Sequence, residues 1–432
     1  MSRIVIAGGG VAGLEALVAL RAHLRPKHEI ELLEVAVDLV ERQHSVVEAF
    51  GGPAPRRYDV ARIAAEHHAS LRPDRLSVVH ADVKRIRTVR GDVLDYDALL
   101  VAVGARKDVA IPGALTFWGP RAVPALARML DDVRSRRARR VIFAVPSDVA
   151  WTLPLYELAL MTADHLQTMG LPEAQLSLVT PERRPLDAFG APVAARVSAL
   201  LHRRGIAVVP DTAPVRLGAH GLELDTGGAL AADWVVTLPR LTGPWIARLP
   251  HDADGFIPVD EHGAVKGVPG VWAAGDATTF PIKQGGIAAQ QADAAALAIA
   301  ARSGKHVQAT PFRPVLRGML LDPMAAQYFD GEHHEFSTAP LWWPPSKVAS
   351  RHLGTYLAGR AGDGAAADEE VDVGALLLKL AGRHAAAGDR ALALRCFDAA
   401  RQVIGALPPD AASARDWLRA PSPSPARSEP SI

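Results

Sequence analysis

The stretch that most constrains this chain is Arg3 to Ala16, RIVIAGGGVAGLEA. An apolar run, Ile4 to Ala7, breaks directly into Gly8-x-Gly10-x-x-Gly13, and an Ala-, Leu- and Val-rich stretch follows. Apolar residues at every position predict a strand buried on both faces, as in a parallel sheet. Gly8 permits the tight turn and Gly10 lets backbone approach a pyrophosphate. Gly13 lets the helix pack closely on the strand, with Ala16 on the same face. Val11 and Ala12 open the helix, whose free N–H groups and positive dipole end favour phosphate. A second strand, Glu29-Ile-Glu-Leu-Leu33, ends in Glu34, roughly the spacing of an acid that holds ribose hydroxyls. Alone, the glycines would be an ordinary turn; between this strand and this helix they predict a dinucleotide site.

The 432 residues are enough for two or three domains. A net charge of +1 gives no argument for nucleic acid as a partner. One cysteine, Cys396, rules out a disulfide framework and fits a reducing compartment. The apolar start carries the glycine fingerprint, so it is not expected to be a signal peptide. No uncharged apolar stretch reaches the ~18 residues of a membrane span.

A second motif separates FAD from NAD. Gly270-Val-Trp-Ala-Ala-Gly275-Asp276-Ala-Thr-Thr resembles the second FAD fingerprint of flavoproteins with two dinucleotide-binding domains. The resemblance implies that Gly275 and Asp276 reach the ribityl chain and pyrophosphate. Tyr96-Asp-Ala-Leu-Leu-Val-Ala102-Val103-Gly104-Ala resembles the segment where the chain leaves the first FAD-binding half. Phe280-Pro-Ile-Lys283-Gln-Gly-Gly286-Ile287-Ala-Ala-Gln-Gln-Ala resembles the flavin-proximal segment of sulfide:quinone reductases and type II NADH dehydrogenases. By that resemblance a helix N-terminus and Lys283 favour the anionic reduced flavin; the alternative is a surface lysine. It also implies Arg42 near the pyrophosphate, although Gln43 stands where relatives have proline, and Val83 at the adenine. The likeness covers roughly residues 1–355 and makes FAD the expected cofactor.

In order, the chain predicts a loop at 42–59, a helix at 59–70, a strand at 76–83 and a small hairpin across Gly91-Asp92. After Pro112-Gly113 a second unit begins, with a helix at 121–136 and a strand at 141–145. Where a nicotinamide-binding fold carries its glycines, this chain has Pro146-Ser-Asp-Val-Ala-Trp-Thr-Leu-Pro154. A pyrophosphate needs bare backbone there, and Asp148 with Trp151 adds charge repulsion and bulk. Tyr156 and Glu157 follow on a helix. They are candidates for the flavin's exposed face, or else a packing tyrosine and a solvated acid. A strand at 175–180, a helix at 191–204 and a strand at 206–209 continue the alternation. Residues 312–321 alternate like a strand pair. Trp342 and Trp343, beside Lys347 and Arg351, fit either a lipid interface or packing. The pairs His67-His68 and His333-His334 lack metal spacing, and no metal is expected.

The fold expected is α/β: two Rossmann-like doubly wound domains, one inserted into the other, plus a C-terminal α-helical hairpin. The FAD-binding domain comprises 1–112 and 249–310, and the second dinucleotide-binding-like domain is 113–248. A C-terminal flavoprotein segment (311–360), a linker (361–372), a helical hairpin (373–406) and a disordered tail (407–432) complete the chain. The expected function is electron transfer through noncovalent FAD from a small donor to an acceptor such as a quinone. One alternative is a non-enzymatic redox sensor or scaffold whose hairpin, unless it docks on its own chain, binds a partner. Another is an NAD(P)H dehydrogenase with an atypical nicotinamide site. The persulfide chemistry of sulfide:quinone reductases needs cysteines at the flavin, and Cys396 lies in the hairpin. The expected location is cytoplasmic, with peripheral contact at the inner face of the membrane left open.

Overall fold

The computed structural model describes residues 2–360 apart from 150, 172, 305, 306, 323 and 324, and further on 378, 381, 385, 390, 393, 394, 397, 398, 401 and 406–419. Two five-stranded sheets organise the described residues. Their strands are β1 (Arg3–Ala7), β2 (Glu29–Leu33), β3 (Ser70–Arg72), β4 (Ala98–Val101), β5 (Leu115–Thr116), β6 (Arg140–Ala144), β7 (Gln175–Val179), β8 (Ile206–Val209), β9 (Trp234–Thr237) and β10 (Val271–Ala273). The first sheet runs β10-β4-β1-β2-β3 and the second β5-β9-β6-β7-β8, with every pairing parallel. All strands of the second sheet fall in sequence between β4 and β10 of the first. One doubly wound unit is therefore inserted into the other.

The buried run Ile4 to Ala7 is the centre of the first sheet, flanked by β2 and β4 in register Ile6↔Leu32 and Ile6↔Leu100. Burying each Leu or Ile there contributes about 1.5–3 kcal/mol. Helix α1 (Val11–His23) follows, and further on come α2 (Val123–Arg134), α3 (Leu153–Thr168), α4 (Ala191–Arg203), α5 (Gly285–Arg302) and α6 (Leu353–Ala358). α1 lies against α5, and Ala12, Ala16, Ala288, Ala292 and Ala295 share one core. Side chains this small bring the two helix axes close together, so both N-termini open on one place.

A carboxylate is buried in this seam. Glu15 accepts backbone N–H bonds from Arg351 (3.1 Å), His352 (2.9 Å) and Leu353 (2.6 Å), capping the start of α6. Burial raises its pKa, and the His352 and Leu353 N–H donors oppose the rise. The cap joins the first helix to a segment more than 330 residues away.

Several local expectations need correction. The helix expected over 59–70 is only Val60–Glu66, because Asp59 caps it through Arg62 N–H (2.9 Å) and His68 turns to φ 49°. The strand expected over 76–83 stops at His80, and Ala81–Val83 form a 3₁₀ turn. Residues 312–321 hold one strand, Arg317–Leu320, paired antiparallel with Gln327–Asp330 rather than with each other. Trp342 and Trp343 are both half-buried. Trp342 packs 5.2 Å from Tyr328 and donates to the Ser346 carbonyl at 3.0 Å, which is packing rather than a free anchor.

Residues 366–432 make a second compact unit. Part of the tail expected to be disordered is a helix, Pro409–Arg419, in which Arg415 donates to Asp398 at 2.7 Å. Paired charges and an apolar contact at Leu418 stabilise what composition alone describes as low complexity. Most of the expected hairpin, with Cys396, lies outside the described residues. Among the described residues no helix is long and apolar enough to cross a membrane.

Candidate functional site

The glycine loop between β1 and α1 is shaped by its neighbours. Gly8 has φ +107°, donates to the Leu33 carbonyl at 2.9 Å, and a Cβ there would lie 2.3 Å from the Ala102 carbonyl oxygen. A Cβ on Gly13 would lie 1.8 Å from the Gly8 carbonyl oxygen. Gly10 differs: nothing stands within 4 Å of its Cβ position. Leu14 N–H closes on the Gly10 carbonyl, while the N–H groups of Val11, Ala12 and Gly13 have no acceptor among the described residues. Three unpaired donors at an open helix start are a ready anion site.

Glu34 curls over this loop. One carboxylate oxygen accepts Gly9 N–H at 2.7 Å, and the other accepts Val35 and Ala36 N–H, each at 2.7 Å. Ala102 is buried against Gly8, Val103 is 36% exposed, and Gly104 turns at φ +73°. Val83 is 56% exposed on its 3₁₀ turn, an apolar side chain with no core to enter. Arg42 opens a 3₁₀ turn and packs its stem beside Gly119 of the inserted domain, 3.6 Å from that residue's Cβ position.

The second half of the site comes from β10 and α5. Gly275, at φ +76°, sits where α1 and α5 meet: its Cβ position is 3.0 Å from Ala12 Cβ and 3.4 Å from Ala288 Cβ. Gln291 of α5 accepts Gly275 N–H at 2.8 Å and the Thr278 hydroxyl at 3.3 Å. Asp276 is half-buried, and its carboxylate has no hydrogen-bond donor among the described residues. Burial pushes its pKa up, and Lys283 and Lys107 pull it back. Lys283 is not a surface residue: it is 8% exposed, donates to the Thr278 carbonyl, and lies 3.8 Å over the Phe256 ring. Burial lowers its pKa to about 8, against the pull of Asp276 and Asp252.

At the start of α5 the Gln284 side chain accepts Ile287 N–H at 2.9 Å. Ile287 therefore has no free donor, while Gly285 and Gly286 keep unpaired N–H groups among the described residues. The sequence places Gln284 and Gln291 in the flavin-proximal motif without giving either a role, and Lys107 drew no reading at all. A polar residue just before Gly285-Gly286 is a cap signal that could have identified the first. Nothing local marks the other two.

In the inserted domain the polar side chains that follow the Pro146–Pro154 segment are paired with one another or with Lys347. Tyr156 is fully buried, and its hydroxyl donates to Glu182 at 2.5 Å. Thr180 and Thr152 donate to the same carboxylate at 3.0 and 3.3 Å. Glu182 follows β7, the position of the ribose-holding acid in a Rossmann unit, and here it is spent on the domain's own side chains. Glu157 is also fully buried, not solvated: Lys347 Nζ lies 2.6 and 2.5 Å from its oxygens, and Leu321 N–H donates at 2.7 Å. Burial raises the pKa of Glu157 and lowers that of Lys347, each opposed by the partner. Neither Tyr156 nor Glu157 faces an open surface.

Two Rossmann-like units, one inserted into the other, with two helix N-termini meeting at a glycine loop and an unpaired acid, define a two-domain dinucleotide-binding protein. A family model described as pyridine nucleotide-disulphide oxidoreductase matches residues 2–141 and 156–296, and the chain belongs to that family. It is an FAD-dependent oxidoreductase. Its fold is similar to that of the sulfide:quinone oxidoreductase of Aquifex aeolicus, with TM-score 0.68 and 17% identity over 76% of this chain and 83% of that one. The ferredoxin reductase of the CYP199A2 system from Rhodopseudomonas palustris aligns with TM-score 0.58 and 18% identity over 76% of this chain and 82% of that one. NDH2 of Plasmodium falciparum, solved with NADH, aligns with TM-score 0.51 and 15% identity over 64% of each chain. Likeness at such identities is a likeness of fold. No curated protein matches the sequence.

Proposed function

We propose that FAD lies along the seam between α1 and α5, held noncovalently, and that the protein passes electrons from a small donor to a quinone-type acceptor. The observation that carries the site is the meeting of unsatisfied groups there: free N–H groups at both helix starts and Asp276 without a donor. In this reading the Val11, Ala12 and Gly13 N–H groups hold the diphosphate from one side and Arg42 from the other. Glu34 takes ribose hydroxyls, Asp276 takes ribityl hydroxyls, and Val83 covers the adenine edge beside Ala102 to Gly104. Bound FAD supplies the acceptance of an electron pair and its release singly or together. Gly285 and Gly286 N–H, at the positive end of α5, and the Lys283 ammonium favour added negative charge beside them. At neutral pH Lys283, with a pKa of about 8, is mostly charged.

Two donor classes fit poorly. A dithiol or persulfide route needs more than the single cysteine present. A nicotinamide route needs a bare phosphate loop, and the chain offers Pro146–Pro154 in its place. The Aquifex aeolicus protein of similar fold is a sulfide:quinone oxidoreductase, which supports a quinone as the acceptor class here.

The test is anaerobic mixing of the yellow protein with NADH, NADPH and sulfide, then oxidation by a soluble quinone, followed at the flavin band. Denaturation should release FAD rather than FMN, Cys396→Ser should reduce as fast as the parent, and quinone should re-oxidise the flavin within the mixing experiment. Loss of reduction in Cys396→Ser with FAD still bound would mean that a thiol takes part. Reduction by NADH in a rapid, saturable step would overturn the exclusion of a nicotinamide donor.

A further inference from the structure

Residues 347–353 form a strap that is anchored at both ends. At one end Lys347 Nζ is held by Glu157 of α3, in the inserted domain. At the other, Glu15 of α1 accepts the N–H groups of Arg351, His352 and Leu353. There too the His352 ring lies 3.2 Å from Asp293 of α5. Between these anchors the strap crosses the first turn of α5. A Cβ on Gly285 would lie 2.7 and 3.2 Å from the two methyl carbons of Val348, and one on Gly286 would lie 3.3 Å from the Ala349 carbonyl oxygen. The strap therefore rests on bare helix backbone, and the Ser346 hydroxyl, donating to the Val348 carbonyl at 2.7 Å, fixes its entry.

Helix capping alone does not account for Glu15. The helix it caps, α6, has only six residues, and Ser350 already accepts Gly354 N–H at 2.8 Å within the same segment. A nearby Ser or Asp side chain is the ordinary way to satisfy the remaining donors. Glu15 is instead fully buried, and a buried carboxylate is costly unless it is hydrogen-bonded. What Glu15 adds is a tie across the fold. It stands on the helix that follows the glycine loop, and it holds the strap that lies on the start of the other helix of the seam.

We infer that Glu15 is a positioning residue: through the strap it sets where the first turn of α5 stands relative to α1, and so how strongly that turn favours reduced flavin. The inference rests on the FAD reading above, in which Glu15 has no contact with the cofactor. The pull of a helix N-terminus falls off within its first turn. A small displacement of the Gly285 and Gly286 N–H groups therefore changes it, while the diphosphate donors of Val11, Ala12 and Gly13 stay in place.

The midpoint potential of the bound flavin is read by equilibration with a reference dye, with FAD content measured on the same samples. Glu15→Gln keeps the side-chain shape but turns an amide NH₂ toward backbone N–H donors. At a fixed potential it should move the oxidised-to-reduced flavin ratio about threefold toward oxidised, with FAD still bound. Gly285→Ala should shift the ratio in the same direction by driving Val348 off the helix. In Gly285→Ala/Val348→Ala both clashing methyls are gone and the nearest remaining atom of that side chain, Cβ, stands at 3.5 Å. The ratio should then return to the parent value. A methyl that struck the flavin itself would act whether or not Val348 were present, so a shift that persists in the double variant overturns the inference. A parent ratio in Glu15→Gln overturns it too, provided Lys283→Met still lowers the potential. Should Glu15→Gln fail to fold, the Gly285→Ala and double variants decide. If Lys283→Met also leaves the potential unchanged, the flavin does not lie beside α5, and the FAD reading falls together with this inference.

Discussion

Replacing Lys347 by methionine tests the packing of the inserted domain most directly. The Lys347 side chain is 5% exposed and Glu157 is not exposed at all, so the pair has almost no water to fall back on. Methionine fills much of the same volume but leaves the Glu157 carboxylate with one remaining donor, Leu321 N–H at 2.7 Å. Removing one member of a buried pair costs about 3–5 kcal/mol. The sign with pH follows from the orphaned acid, whose folded pKa lies above its unfolded value of about 4.5. The folded state then binds more protons, so the variant loses stability as pH rises from 4.5 through the raised folded pKa. In the double variant Glu157→Gln/Lys347→Met the amide still accepts Leu321 N–H and no charge is stranded. At least about 2 kcal/mol of the loss should return. Urea unfolding at several pH values, with FAD saturating, reads all three proteins. A single-variant cost under about 1 kcal/mol, or a double variant no better than the single, would refute the reasoning. His44, held near pKa 4 by burial and then by the charge of Lys347, provides a second reporter. Its pKa should rise in Lys347→Met.

Gly13→Ala should displace α1 from β1, because the new methyl would meet the Gly8 carbonyl oxygen at 1.8 Å, and purified protein should retain little FAD. Gly10→Ala meets no protein atom within 4 Å, so its melting temperature without FAD should stay at the parent value while FAD affinity falls; equal retention in the two variants would sink the assignment. Lys283→Met should lower the flavin midpoint potential, by ~30 mV for each ~1.4 kcal/mol lost from the two-electron couple. Because the Lys283 pKa falls from 10.5 unfolded to about 8 folded, the folded state binds fewer protons in that window. Parent stability should therefore rise between those pH values by up to about 3 kcal/mol, and the rise should vanish in Lys283→Met; a flat parent curve would count against the buried ammonium.

Much of the architecture could be read from the chain itself. Ile4 to Ala7, the three glycines and the helix after them make purely local demands: an apolar strand needs two covering layers, and Gly8 needs a positive φ. Gly275-Asp276 makes the same kind of demand at the end of β10. The missing glycines at Pro146–Pro154 were legible for the same reason, since the lack of bare backbone is visible residue by residue. Helix ends and the tail were less legible, because caps such as Asp59 and ion pairs such as Arg415–Asp398 depend on a few side-chain bonds.

What sequence alone determined is the fold class, the expected cofactor and the shortage of thiols, each set by residues close together in the chain or by composition. Tertiary structure alone decided the rest. It turned Glu157 toward Lys347, 190 residues away, and Glu182 toward Tyr156. It buried Lys283 with its ammonium over the Phe256 ring, and it brought Lys107 and Arg121 from either side of β5 to one cavity. A side chain's charge is written in the sequence, but whether it is paired, buried or left free depends on partners supplied by chain closure, and no local pattern encodes that.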